Sequence, residues 1–190
     1  MGSNRNVWVV GKDPVGTNGV LPVYRALQKR GIATVFIANG KAPELAAVRA
    51  LGAYVIATSA SDVLVAFPPP RVLITSMCSE GGVGRDLVSL LRHASPETRI
   101  VAAQDFWGAS LGTDWADAAH RPDALWMGDR VAEAIVRTAW PDFETGRIWV
   151  TGWPALDHCA VTDVAAARTR VRRKLGVFEE LPLVCFAGQL

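Results

Sequence analysis

The feature that most constrains this chain is a repeated change of period. Short runs of β-branched and aromatic residues alternate with stretches whose apolar residues recur every three or four positions. Residues 6–11 (NVWVVG) open the pattern, and segment 20–30 follows with Val20, Tyr24 and Leu27 on one helical face. Strand-like runs recur at 32–38, 54–57, 72–76, 99–104, 124–127 and 147–151, with helical stretches at 43–51, 61–67, 84–93 and 130–139 between them. Pro68, Pro69 and Pro70 stop the third helix. Val83, Leu87, Leu90 and Leu91 mark the inward face of the fourth, and Val131, Ile135 and Val136 that of the fifth. The strands read as nearly continuous apolar runs, which a parallel sheet covered on both faces requires. The expected fold class is therefore α/β: a doubly wound, mostly parallel Rossmann-like sheet with helices on both faces. In such sheets ligands bind outside the carboxyl ends of the strands, so the loops after strands one, four, five and seven are the places to look.

The last part of the chain departs from this rhythm. Segment 162–175 reads as a helix carrying Arg168, Arg170, Arg172, Arg173 and Lys174, and 182–187 (PLVCFA) as one more apolar strand. A strand with no helix after it is half of a βα unit and cannot bury its own faces. The expectation is an N-terminal domain over 1–157, with 158–190 as a linker helix and the first strand of a truncated second domain; Pro154 marks the hinge. The basic cluster reads as a solvated helix face whose charge suits a helix C-terminus.

Charge and cysteine content narrow the function. Twenty Lys and Arg against 18 Asp and Glu leave a net charge of +2, far short of the excess needed to neutralise many phosphates, so nucleic acid is not expected as a partner. Cys78, Cys159 and Cys185 form no C-x-x-C pair, and no secretory signal pattern precedes residue 6. A cytoplasmic protein is expected. No apolar run approaches bilayer length, while contact with a membrane surface and homo-oligomerisation are compatible with the composition.

Candidate chemistry sits at the strand ends. The loop G-K-D-P-V-G-T-N-G places Gly11, Gly16, Asn18 and Gly19 after the first strand, where glycine lets a backbone approach a ligand and a helix N-terminus offers N–H donors. It is neither a Walker A loop, since Thr17 follows Gly16, nor a dinucleotide fingerprint, since position 13 is Asp. An NAD-linked oxidoreductase is thereby disfavoured. After the fourth strand, S-M-C-S-E-G-G presents Cys78, Ser79, Glu80 and Gly81. Cys78 as a nucleophile would need a histidine base, and His93, His120 and His158 show no spacing for one; Ser79 and Glu80 lining a cleft is the preferred reading. After the fifth strand, Q-D-F-W-G sets Gln104 and the Asp105 carboxylate beside Trp107, a combination suited to sugar recognition by hydrogen bonding and stacking. Asp105 is the expected general base, with Asp13 and Glu80 as substitutes. Trp107, Trp115 and Trp153 are loop candidates, whereas Trp126 and Trp149 are assigned to the core. No metal site is expected, because His158 and Cys159 are adjacent without further spaced ligands.

Three segments resemble the N-terminal half of GT-B-type glycosyltransferases and their relatives, a group including lipid A disaccharide synthase, UDP-N-acetylglucosamine 2-epimerase and CDP-glycerol glycerophosphotransferase-like proteins. They are the glycine-rich loop with its helix (11–31), P-D-A-L-W-M-G-D (122–129) and I-W-V-T-G-W-P-A-L-D (148–157). The resemblance implies that Gly16, Gly19 and Asp105 face a sugar or polyol acceptor in an interdomain cleft. It also implies that the nucleotide-sugar donor is held by a second domain lacking here, with no cofactor in this chain and no turnover by this half alone. The alternative is a self-contained Rossmann-like binding module without chemistry.

Overall fold

The computed structural model describes residues 6–78, 81–112, 115 and 117–185. Seven parallel strands form one sheet: β1 (Val7–Gly11), β2 (Thr34–Ala38), β3 (Val55–Ile56), β4 (Val72–Met77), β5 (Arg99–Gln104), β6 (Ala124–Met127) and β7 (Ile148–Val150). Their order is β3-β2-β1-β4-β5-β6-β7. Successive crossovers run outward from β1 to β3, then the chain returns to lay β4 against the other side of β1. Right-handed crossovers proceeding in opposite directions must place their helices on opposite faces.

The side chains of β1 record this arrangement. Val7 and Val9 join a core with Val20, Leu21 and Tyr24 of α1 (Pro14–Lys29) and Val48 of α2 (Ala46–Arg49). Trp8 and Val10 point the other way, into a core built with α3 (Ala60–Ala66), α4 (Val83–Ala94) and α5 (Arg130–Ala139). Trp8, Trp115 and Trp140 are fully buried there. The two cores flank the sheet as the alternation of successive side chains requires.

Two local differences from the sequence reading have physical causes. The helix expected from residue 20 begins at Pro14, because Asp13 caps it, its Oδ1 accepting the Gly16 N–H at 2.8 Å, and proline is preorganised for the first turn. Gly16, Asn18 and Gly19 consequently lie in α1 and not in a loop. Trp149, assigned to the core, is 49% exposed because β7 is the edge strand, paired among the described residues with β6 alone.

By Cα proximity the chain divides into two compact units, Met1–Ala155 and Leu156–Leu190. In the second, α6 (Asp157–Ala160) precedes α7 (Val164–Leu175), which Gly176 ends in the left-handed conformation, φ 68°. Arg172 departs from the solvated basic face: it is 6% exposed and donates from Nη1 to the carbonyls of Phe178 and Leu181, at 2.6 and 2.8 Å. The expected strand at 182–187 finds no counterpart over residues 182–185, and its remaining two residues lie outside the described residues.

Close helix–strand packing depends on small residues. A Cβ on Gly84 of α4 would overlap Thr75 Oγ1 on β4, whereas one on Gly19 of α1 would meet nothing within 4 Å. Gly84→Ala is expected to destabilise by about 1–3 kcal/mol, and Gly19→Ala to stabilise by about 0.5–1 kcal/mol through helix propensity. Urea midpoints measured on both variants check the pair.

Candidate functional site at the strand-order reversal

Between β1 and β4 the connections leave in opposite directions, the topology at which open α/β sheets place a ligand crevice outside the carboxyl ends of their strands. Asp13 follows β1, Cys78 follows β4 and Asp105 follows β5. One ligand-type atom from each, two carboxylate oxygens and Sγ, lie within 4.8 Å of one another. Such a trio offers atoms that a cation or a proton can bridge. Lys12 adds its positive charge to the field at Asp105.

Asp105 is the most perturbed group here. It is 9% exposed, and its Oδ1 is buried with no hydrogen-bond partner. Burial, reinforced by the negative charge of Asp13, raises its pKa to about 7, against the opposing pull of the backbone N–H groups of Asp105 and Phe106 and of Lys12. Asp13 is partly buried; Oδ1 caps α1, while Oδ2 is buried and unpartnered.

The loop after β5 is held to its neighbours. Gln104 donates from Nε2 to the Trp107 carbonyl at 3.0 Å, and its Oε1 is buried without a partner. The Trp107 indole N–H donates to Asp129 Oδ2 at 2.7 Å, and Asp129 Oδ1 caps α5 by accepting the Ala132 N–H. These two bonds hold Asp129 below the usual aspartate range, Ala132 contributing most. Trp107 is thus fixed at its polar edge with 54% of the side chain's residue exposed, able to offer a ring face.

The remaining expected residues are distributed as follows. Gly11 is buried against Thr17, where a Cβ would stand 2.6 Å from Oγ1, and Gly16 packs against Ser76 with a Cβ position 2.6 Å from that residue's Cβ. Both glycines therefore serve the approach of α1 to the sheet. Asn18 is exposed and Gly19 partly so. Ser79 and Glu80 lie outside the described residues. Trp115, a loop candidate, is 1% exposed with its indole donating to the Cys78 carbonyl at 2.8 Å; it supports the crevice from within the core. Trp153 packs over Gly128, where a Cβ would overlap its indole. His93 lies in the last turn of α4, its Nδ1 2.9 Å from the Ser89 carbonyl, at the far end of the helix from Cys78.

Sequence reasoning passed over Lys12, Asn39 and Asp129. Asn39 follows β2, is buried, and donates from Nδ2 to the Gly11 carbonyl at 3.2 Å. Each stands just beyond the last apolar residues of a strand, a positional signal that applies as well to Asp13 and Asp105. The opposite rim has a different character. A groove of about 380 Å³ there is lined by Arg92, Arg121, Asp123, Asp142, Glu144 and Arg147 among others. Its arginines are engaged with acids: Arg92 with Asp123, Arg121 with Asp142 and Arg147 with Glu144. Surface pairs of this kind mainly satisfy one another.

No family model matches the chain, and no curated protein matches it. Among solved structures, one described as a UDP-N-acetylglucosamine 2-epimerase from Listeria monocytogenes aligns with TM-score 0.61 at 10% identity, covering 83% of this chain and 47% of that one. The chain thus spans about half of that structure, and the likeness establishes a Rossmann-like parallel α/β fold. A response regulator from Burkholderia pseudomallei aligns at 14% identity over 90% of this chain and 84% of that one, with a TM-score of 0.40 that carries no argument. Among the described residues no helix is long and apolar enough to cross a membrane.

The raised carboxyl of Asp105 has a consequence for stability. Its folded pKa of about 7 exceeds the ordinary value of 3.8, so the native state holds a proton that the unfolded chain has released. Its contribution is complete below about pH 4 and is lost as pH rises through about 7, an effect of order 4 kcal/mol. Asp105→Asn, neutral at every pH, is expected to flatten this slope and to be the more stable form above pH 7, as denaturant melts from pH 4 to 8 will register.

Proposed function

We propose that the chain is the acceptor-binding half of a GT-B-like glycosyl or sugar-phosphate transferase. The observation that carries this reading is a buried carboxyl, Asp105, facing Asp13 where the strand order reverses, with its proton affinity matched to neutral pH. A general base works best with a pKa near the operating pH. The ionised form of Asp105 would take the proton of an acceptor hydroxyl as its oxygen bonds to the donor's anomeric carbon, the nucleotide leaving with the electron pair of the broken bond. Trp107 offers a ring face on which a pyranose can stack. The distant fold likeness to a protein described as a sugar epimerase agrees with this use of the crevice.

On this reading the donor nucleotide-sugar binds chiefly to a second domain, of which residues 158–190 would be the beginning, and the chain alone would not turn over. Catalysis in such a cleft depends on holding donor and acceptor together away from water. A second reading, a binding module without chemistry, is favoured by one observation: the sheet of the first unit has both faces covered by its own helices.

Chemical-shift mapping of the labelled chain with N-acetylglucosamine, glycerol, UDP and UDP-N-acetylglucosamine, each up to about 10 mM to capture weak affinities, tests the assignment. The sugar is expected to shift amides at Asp13, Cys78 and 105–108, while UDP leaves them unmoved. Shifts there from UDP alone, or none from any of the compounds, would overturn it.

A further inference from the structure

Asp13 carries more charge than its structural role needs. An N-cap requires one acceptor oxygen, and Asn or Ser serve as well as Asp. Oδ1 makes that cap with Gly16 and Oδ2 is buried and unpartnered, while one oxygen of this carboxylate lies within 4.8 Å of the Cys78 Sγ and of an Asp105 oxygen. Asp105 likewise keeps one buried oxygen without a donor. Two carboxylates so placed cannot both ionise cheaply, since each raises the cost of the other's charge where little water screens it. Among the described residues, the other groups bearing on the pair are Lys12, next to Asp13 in the chain, the Cys78 thiol, and the backbone N–H groups of Asp105 and Phe106. Those N–H groups and Lys12 favour charge on the pair, and one negative charge satisfies them.

We propose that Asp13 and Asp105 act as one unit holding a single proton between them, and that this unit selects a neutral hydroxyl over an oxyanion. A hydroxyl both donates and accepts, so it can meet the ionised member of the pair with its hydrogen and the protonated member with its lone pair; with the shared proton on Asp13, Asp105 is the ionised member and the base. A phosphate or carboxylate placed there would face a fixed negative charge in a poorly solvated site. The selectivity rests on the reading of the crevice as an acceptor site; the shared proton does not, and the two can fail separately.

The test is a carboxyl titration by carbon NMR on the ¹³C-aspartate-labelled chain. The wild type is expected to show one carboxyl with a midpoint near 7, absent in Asp105→Asn, and an Asp13 resonance that moves at the same midpoint because the two titrations are coupled. In Asp13→Asn and Asp13→Ser, which keep the helix cap, the Asp105 midpoint is expected to fall by roughly one unit. It should nevertheless stay above the ordinary aspartate range, because burial is the larger cause. A midpoint unchanged in both variants, or an Asp13 resonance indifferent to the Asp105 transition in the wild type, overturns the shared proton; the latter needs no variant to fold. For selectivity, methyl glycosides should shift the amides of Asp13 and Asp105 and inorganic phosphate should leave them in place. Phosphate-induced shifts at both would reverse the assignment while leaving the titration result intact.

Discussion

The reversal of strand order between β1 and β4 is the constraint on which the remaining architecture hangs. Right-handed crossovers that start out in opposite directions send α1 and α4 to opposite faces of the sheet. Residues that end β1, β4 and β5 are thereby brought together although they are far apart in the chain. The apolar cores on either side make the opening rigid, because Trp8 and Val10 on one face and Val7 and Val9 on the other leave β1 no freedom to shift register. The crevice follows from topology before any side chain in it is considered.

What the crevice then contains is chemically unusual. Several charged groups of this fold are paired: Glu133 with Arg130 and Arg137, Arg92 with Asp123, Arg121 with Asp142. Asp13 and Asp105 instead retain buried oxygens that receive no hydrogen bond. Leaving such atoms unmet costs stability, and the apolar packing of the sheet has to offset that cost. Unsatisfied polar atoms held in place by a rigid scaffold are what a binding or proton-handling site looks like before its ligand arrives. The rim around them is supported indirectly, Trp115 bonding the Cys78 carbonyl from the core and Gln104 bonding the Trp107 carbonyl.

The strands were legible in the sequence because a strand buried on both faces must be apolar throughout, and runs such as 72–76 and 99–104 can be little else. The start of α1 was not, because a glycine-rich stretch after a strand resembles a ligand loop whether its glycines face a ligand or a neighbouring strand. Only the contact of Gly16 with Ser76, a residue 60 positions away, distinguishes the two. Asp105 was visible as a carboxylate at a strand end, but its raised proton affinity was not, since that comes from burial and from Asp13 across the crevice. Arg172 shows the same limit: nothing in a run of arginines marks the one whose guanidinium is drawn inward to the Phe178 and Leu181 carbonyls.

Asp129 joins two things that are usually separate. One of its oxygens starts α5 and the other anchors the indole of Trp107. The aromatic lip and the first turn of the helix are consequently tied at a single carboxylate. An occupant that levers Trp107 aside would loosen the helix's beginning, and strain arising in the helix would be felt at the lip. The crevice therefore has a mechanical link to the far half of the sheet, through a residue that need not touch whatever binds.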